Sequence, residues 1–233
     1  KYNKMNMDRT FELLDRYRDN FIKEDALCTK SNGTWVKYSS KDYIDYSYNF
    51  SYGLLDLGIK KGEKIITVSN NRSEWNFVDM GMSLIGAIHV PVFTSLSVDD
   101  YQYIIKHSEA KLIIVSDKKL HKVVNLAVTA SGQPVQIYSF DNIDGVKNWK
   151  EIFEAGKRNA MKYRQAVEDI KRTISPDDFA SLIYTSGTTG RAKGVILTHR
   201  NMVSNFLAAA NVFNLKPEDK YLSILPLCHV GGR

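Results

Sequence analysis

The residues best equipped for chemistry stand together as Thr185-Ser186-Gly187-Thr188-Thr189-Gly190-Arg191-Ala192-Lys193-Gly194. Gly187 and Gly190 let the backbone bend tightly and turn its N–H groups toward one point, a nest suited to an anion. The hydroxyls of Thr185, Ser186, Thr188 and Thr189 add donors that can equally ligate a hard cation. Lys193 supplies a mobile positive charge within reach. These parts suit a polyphosphate. They do not form a Walker A loop, which needs Gly-Lys followed by Ser or Thr. Here Ala192 precedes the lysine and Gly194 follows it. The chain also has no Gly-x-Gly-x-x-Gly fingerprint for a dinucleotide. The plain alternative is a surface turn between two strands. The flanking strands and the lysine favour the phosphate reading.

Other polar residues invite structural roles. His89, His107 and His121 read as packed or exposed, and His199 and Asn201 as residues that position the helix after the loop. A lone His229 at a strand end is by default a packing or capping residue. Asp99-Asp100 and Asp177-Asp178 sit at a helix start and just after Pro176, where capping and turns explain them. Cys28 and Cys228 form no metal knuckle and no redox pair, which points to a reducing compartment.

Alternating strand and helix patterns must position the loop. A helix capped by Ser39 or Ser40 carries Tyr43, Tyr46, Phe50, Leu54 and Leu57 at helical spacing and ends at Gly58. A strand from Lys64 to Ser69, a helix from Ser73 to Ile85 and a short strand ending at Pro91–Phe93 follow, then a helix begun by Ser97. Lys111–Val115, Val135–Phe140, Phe179–Thr185, Gly194–Thr198 and Tyr221–Leu225 read as further strands. Trp149–Asp169 reads as a charged outer helix, and Arg200–Phe213 as a long one. The predicted fold class is α/β: a doubly wound, mostly parallel sheet with helices on both faces, in one domain.

Composition is that of a globular protein: 233 residues, 43% hydrophobic, 25% charged, with net charge +6. Basic clusters at Lys60, Lys61 and Lys64, and at Lys157, Arg158, Lys162 and Arg164, read as solvated surface. Neither is interleaved with aromatics as in a nucleic-acid module, so no DNA or RNA partner is expected. Met80 to Val98 lacks any Lys, Arg, Asp or Glu and nears membrane-spanning length. Its alternation at His89-Val90-Pro91-Val92-Phe93 favours a buried helix turning into a buried strand. The chain begins at Lys1 with a polar stretch to Thr10, which reads as a trimmed chain without an export signal.

The loop resembles the phosphate-binding signature of the acyl-adenylate-forming (AMP-binding) superfamily, which includes acyl-CoA synthetases, peptide-synthetase adenylation domains and luciferases. Further segments resemble its long-chain fatty acyl-CoA synthetase branch. They are Gly62-Glu63-Lys64, Ser69-Asn70-Asn71-Arg72-Ser73-Glu74-Trp75, Gly86-Ala87-Ile88-His89-Val90-Pro91-Val92, Tyr103-Ile104-Ile105-Lys106-His107-Ser108-Glu109-Ala110 and Leu225-Pro226-Leu227-Cys228-His229-Val230. The resemblance runs from about Phe11 to Val230 and implies a partial N-terminal AMP-binding domain over 1–233, without the C-terminal domain.

By resemblance the substrates are a fatty acid, ATP with Mg²⁺, and coenzyme A. Ser186, Gly187, Thr188, Thr189 and Gly190 would hold the β- and γ-phosphates, and Thr185 would ligate Mg²⁺. Lys193 would neutralise departing pyrophosphate, and His229 would line the acyl-carboxylate site. The resemblance is compatible with a cytoplasmic protein, with peripheral membrane contact and with a homodimer. Two features depart from it. The branch continues with an aromatic, Glu and Arg where this chain has Gly231-Gly232-Arg233. The adenine-binding Tyr-Gly-x-Thr-Glu segment, the ribose-binding Asp and the C-terminal catalytic Lys are also missing, so the expectation is weak ATP binding and no turnover by this chain alone. Another acid or acceptor, and a non-catalytic nucleotide-binding module, remain alternatives.

Overall fold

A computed structural model describes residues 7–31, 33–185, 191–213, 216, 218–229 and 231–232. In chain order the elements are α1 (Glu12–Asp19), β1 (Leu27–Ser31), β2 (Thr34–Tyr38), α2 (Ser40–Asp56), β3 (Lys64–Val68), α3 (Ser73–Leu84), β4 (Ile88–Val92), α4 (Val98–Ser108), β5 (Leu112–Val115) and α5 (Lys118–Ser131). β6 (Gln136–Ser139), β7 (Lys147–Asn148), α6 (Trp149–Arg158), α7 (Ala160–Thr173), β8 (Phe179–Thr185), β9 (Lys193–Thr198) and α8 (His199–Phe213) complete the series. The main sheet has the order β7-β6-β5-β3-β4-β8-β9, parallel throughout except for β9, which runs antiparallel to β8. β1 and β2 form a separate hairpin.

Strands buried on both faces read as apolar runs, and alternate side chains feed two cores. Ile65, Leu112 and Ile114 join one cluster with residues of α1, α2, α3, α6 and α7. Ile66, Val68, Ile113 and Val115 join the other, with α4 and α5. The predicted doubly wound α/β fold is therefore present. The charge-free stretch is the end of α3, all of β4 and the start of α4, and no described helix is long and apolar enough to cross a membrane.

Local chemistry explains the boundaries. Ser39 and Asp42 form a capping box at the start of α2, and Gly58, at φ +81°, takes the left-handed turn after it. Ser97 and Asp100 form a second box ahead of α4. His89 lies buried in β4, with Nδ1 2.6 Å from Asp79 and Nε2 2.7 Å from the Thr67 hydroxyl. This pins α3 to the sheet through polar groups satisfied inside the core.

Two sequence expectations need correction. The predicted helix from Trp149 to Asp169 is two helices, broken at Asn159, whose side-chain amide donates to Asp56 at 3.1 Å. The predicted strand Tyr221–Leu225 is irregular, with Tyr221, Leu222 and Ile224 exposed. Alternation alone cannot make a strand without a neighbouring edge to pair with, and this segment's carbonyls are bound by a side chain instead.

The tightest packing is where α2 crosses α6. A Cβ on Gly53 would lie 1.9 Å from the Ile152 carbonyl oxygen, and one on Gly156 1.8 Å from that of Asn49. Backbone meets backbone there, so no side chain can move aside. Gly156→Ala is expected to destabilise the fold by about 3 kcal/mol, at the upper end for overpacked cores. Urea unfolding checks this, against Gly145→Ala as a strained but uncrowded control.

Candidate functional site at the carboxyl edge of the sheet

In open α/β sheets ligands bind beyond the carboxyl ends of the strands, where neighbouring strands send their helices to opposite faces. β3 leads into α3 on one face, and β4 leads into α4 on the other. β8 lies parallel to β4 with Ser181 level with His89. From that pair both strands run the same way, β4 to Val92 and β8 to Thr185, so the tip of β8 points to this edge.

Thr185 and Lys193 face one another as the last pair of the β8–β9 ladder, and both are exposed. They are the two described members of the predicted phosphate site. Ser186, Gly187, Thr188, Thr189 and Gly190 lie outside the described residues. The Tyr184 hydroxyl shares a 2.7 Å hydrogen bond with His107 Nδ1, and burial pushes its pKa up to about 12, so it stays protonated. The Arg191 guanidinium lies 5.2 Å from the Tyr103 ring centroid. Asp99, Asp100, Gln102, Tyr103, Lys106, His107 and Arg191 line an open groove of about 530 Å³ beside the hairpin.

The segment carrying His229 docks on the same edge. Asn71, just after β3, donates through Nδ2 to the carbonyls of Leu225 (2.7 Å) and Ser223 (3.1 Å), and its Oδ1 accepts from the Leu227 amide at 3.0 Å. His229 itself is exposed. Its amide donates to the Pro226 carbonyl at 2.9 Å, and its Nδ1 accepts from the Gly231 amide at 3.1 Å. These bonds close its own turn, and among the described residues none links His229 to Thr185 or Lys193. Cys228 is buried, and desolvation raises its thiol pKa to about 11. A thiol so protonated is no nucleophile at neutral pH.

Other polar residues singled out in the sequence are bonded within the fold. Asp177 is bonded by Arg200 at 2.8 and 2.9 Å. Asp178 accepts from the Ser175 amide and pairs with Lys61, whose hydrogen bond is the main cause holding its carboxyl below the ordinary range. His199 is buried at the start of α8 with Nδ1 2.9 Å from the Thr10 hydroxyl, and Asn201 exchanges hydrogen bonds with Thr198. Among the described residues no three His, Cys, Asp or Glu side chains gather as a metal site.

Residues 18–233 match the family model described as AMP-binding enzyme. The chain belongs to the AMP-binding enzyme family. It is 31% identical over 235 residues to fatty acyl-CoA synthetase A of Dictyostelium discoideum, covering 95% of the chain and 35% of that relative. It is 30% identical to the long-chain-fatty-acid–[acyl-carrier-protein] ligase AEE15 of Arabidopsis thaliana, covering 85% of the chain and 29% of the relative. The chain thus spans about a third of the length of these curated relatives. Its fold matches the anthranilate CoA ligase AuaEII, solved with anthranoyl-AMP, at a TM-score of 0.69 and 19% identity, over 91% of this chain and 39% of that one.

Tyr103, His107 and Tyr184 meet beside the hairpin, and Asn71 holds the Ser223–Leu227 segment, contacts that sequence patterns do not announce. Tyr103 and His107 are four apart on one helix, a spacing that places two rings on one face. That much was available from the sequence, but their common target was not.

Asn71→Ala should release the Ser223–Leu227 segment. Hydrogen exchange at the Leu227 amide is expected to accelerate about tenfold, the equivalent of one net hydrogen bond, while amides of β3 stay protected.

Proposed function

We propose that this chain is the phosphate-binding part of an ATP-dependent ligase that activates a long-chain fatty acid as its acyl-adenylate and passes the acyl group to coenzyme A. The observation that carries the reading is the Thr185–Lys193 pair, which brackets the sequence Ser-Gly-Thr-Thr-Gly at the end of a strand on the carboxyl edge of a doubly wound sheet. Family membership and the fatty acyl-CoA synthetase relatives support it.

A carboxylate does not acylate a thiol directly, because its leaving group would be oxide. In the proposed reaction its oxygen attacks the α-phosphorus of ATP and pyrophosphate leaves, producing a mixed anhydride. The thiol then attacks the acyl carbon and AMP departs. The first step depends on positioning and on neutralising charge around the phosphates. Ser186, Thr188 and Thr189, with the amides from Gly187 to Gly190, are assigned the β- and γ-phosphates, and Lys193 the charge gathering on pyrophosphate. Thr185 presents a hard oxygen at an exposed strand tip, compatible with Mg²⁺ that keeps most of its coordination for water and phosphate. Bound there, Mg²⁺ would supply further charge neutralisation. His229, in the exposed turn at the same edge, is assigned to the acyl-carboxylate side. Adenine, ribose and acyl-transfer elements are assigned to the part of the relatives this chain does not span, so this chain alone is proposed not to turn over.

A second reading keeps the adenylation and changes the acceptor to a carrier protein, favoured by the similarity to the acyl-carrier-protein ligase. Acceptor assays with coenzyme A and with holo-carrier protein distinguish the two.

Acid-dependent ATP–pyrophosphate exchange by the full-length protein, scanned over chain lengths, tests the activation step. Lys193→Ala is expected to lower exchange about 10²-fold, as loss of a single charge-stabilising group does. Exchange that is unchanged in both Lys193→Ala and Gly190→Ala would overturn the assignment of the loop, and ATP hydrolysis without any acid would point to a different enzyme class.

A further inference from the structure

We infer that Tyr103 and His107 on α4 are positioning residues for the two stretches that flank the proposed phosphate-binding segment, holding Tyr184 on one side of it and Arg191 on the other. The inference rests on the adenylation reading above, and it names a role for side chains that would not themselves touch substrate.

The geometry is a two-point clamp. On the incoming strand, Tyr184 is buried and its hydroxyl bonds to His107 Nδ1 at 2.7 Å, with the two rings edge to face at 5.7 Å and 82°. Tyr103 meets Tyr184 edge to face at 6.4 Å and lies 5.4 Å from the His107 ring. On the outgoing side, Arg191 stacks its guanidinium 5.2 Å from the centroid of Tyr103, and Ala192 packs against the core cluster that includes α4. One pair of side chains a helical turn apart therefore reaches both ends of the loop.

The clamp is itself referenced to the sheet. The Tyr101 hydroxyl donates to the Phe93 carbonyl at 2.7 Å, tying α4 to the end of β4. Ile104 and Ile105 are buried, and the Ser97–Asp100 box fixes where the helix begins. A loop with two glycines has many backbone states to lose when it wraps a polyphosphate. Fixing its two shoulders beforehand leaves less to order at the moment of binding, so the cost of binding falls. Loosening them should raise KM for ATP and leave the affinity for the acid alone.

The test uses the full-length protein with Tyr103→Ala, His107→Ala, His107→Gln, Tyr184→Phe and the double variant His107→Ala/Tyr184→Phe. Two readouts are taken: the rate of tryptic cleavage after Arg191, located by mass spectrometry, and KM for ATP and for fatty acid in the exchange assay. Tyr103→Ala and His107→Ala are each expected to raise cleavage and KM for ATP about tenfold, with KM for the acid and Tm unchanged. The amide of His107→Gln can still bond the tyrosine hydroxyl and should restore most of the loss. The double variant should be no worse than His107→Ala, because the two residues share one bond. Unchanged cleavage and unchanged KM for ATP in both alanine variants would overturn the clamp, as would parallel losses in acid KM and Tm. If the wild type shows no acid-dependent exchange, the adenylation reading fails, and cleavage after Arg191 still decides whether the clamp exists.

Discussion

Strand β8 is the joint on which this structure depends. On one side it lies parallel to β4 through the His89–Ser181 register, and on the other it begins an antiparallel ladder with β9 that closes at Thr185 and Lys193. The parallel contact sends β8 toward the carboxyl edge, where loops after β3 and β4 also end. The antiparallel ladder has Thr185 and Lys193 as its last pair, at the edge where such sheets bind ligands. Ser181 reinforces the joint, its buried hydroxyl donating to the His89 carbonyl at 2.9 Å.

A rigid edge needs a rigid sheet behind it, and two contrasting kinds of contact provide that. Gly53 and Gly156 let α2 and α6 approach backbone to backbone, a contact dominated by shape. The buried line of Asp79, His89 and Thr67 is polar instead, and joins α3, β4 and β3 in one fixed arrangement. At the edge itself, Arg72 bonds Asp141 at 3.0 Å, stacks 4.9 Å from the Phe140 ring and so links the loop after β3 to the loop after β6. Asn71 holds the incoming Ser223–Leu227 segment. The loops after β3 and β6 and the Ser223–Leu227 segment are thus bonded to one another.

Features with a local cause were legible in the sequence. Ser39, Ser97 and Gly58 mark helix ends by chemistry that acts within a few residues. The apolar runs of β3, β4 and β5 are long enough to announce buried strands. Features with a distant cause were not legible. Nothing near Gly156 foretells the Asn49 carbonyl against it, and Asn159, at the break between α6 and α7, bonds Asp56, far back in the chain. The apolar alternation of Tyr221–Leu225 resembles a strand, yet pairing is a property of two segments, and its carbonyls went to Asn71. The shoulders of the hairpin escaped notice for the same reason: His107 and Tyr184 meet only once β8 has docked beside β4.

The fate of one oxygen atom tests the proposed activation step. If a carboxylate attacks the α-phosphorus at this edge, the bridging oxygen of the mixed anhydride comes from the acid and leaves with AMP when the thiol takes the acyl group. A fatty acid labelled with ¹⁸O in its carboxylate, turned over with ATP and coenzyme A by the full-length protein, should deliver one ¹⁸O to each AMP and none to pyrophosphate. Unlabelled AMP, or label released in inorganic phosphate, would contradict it.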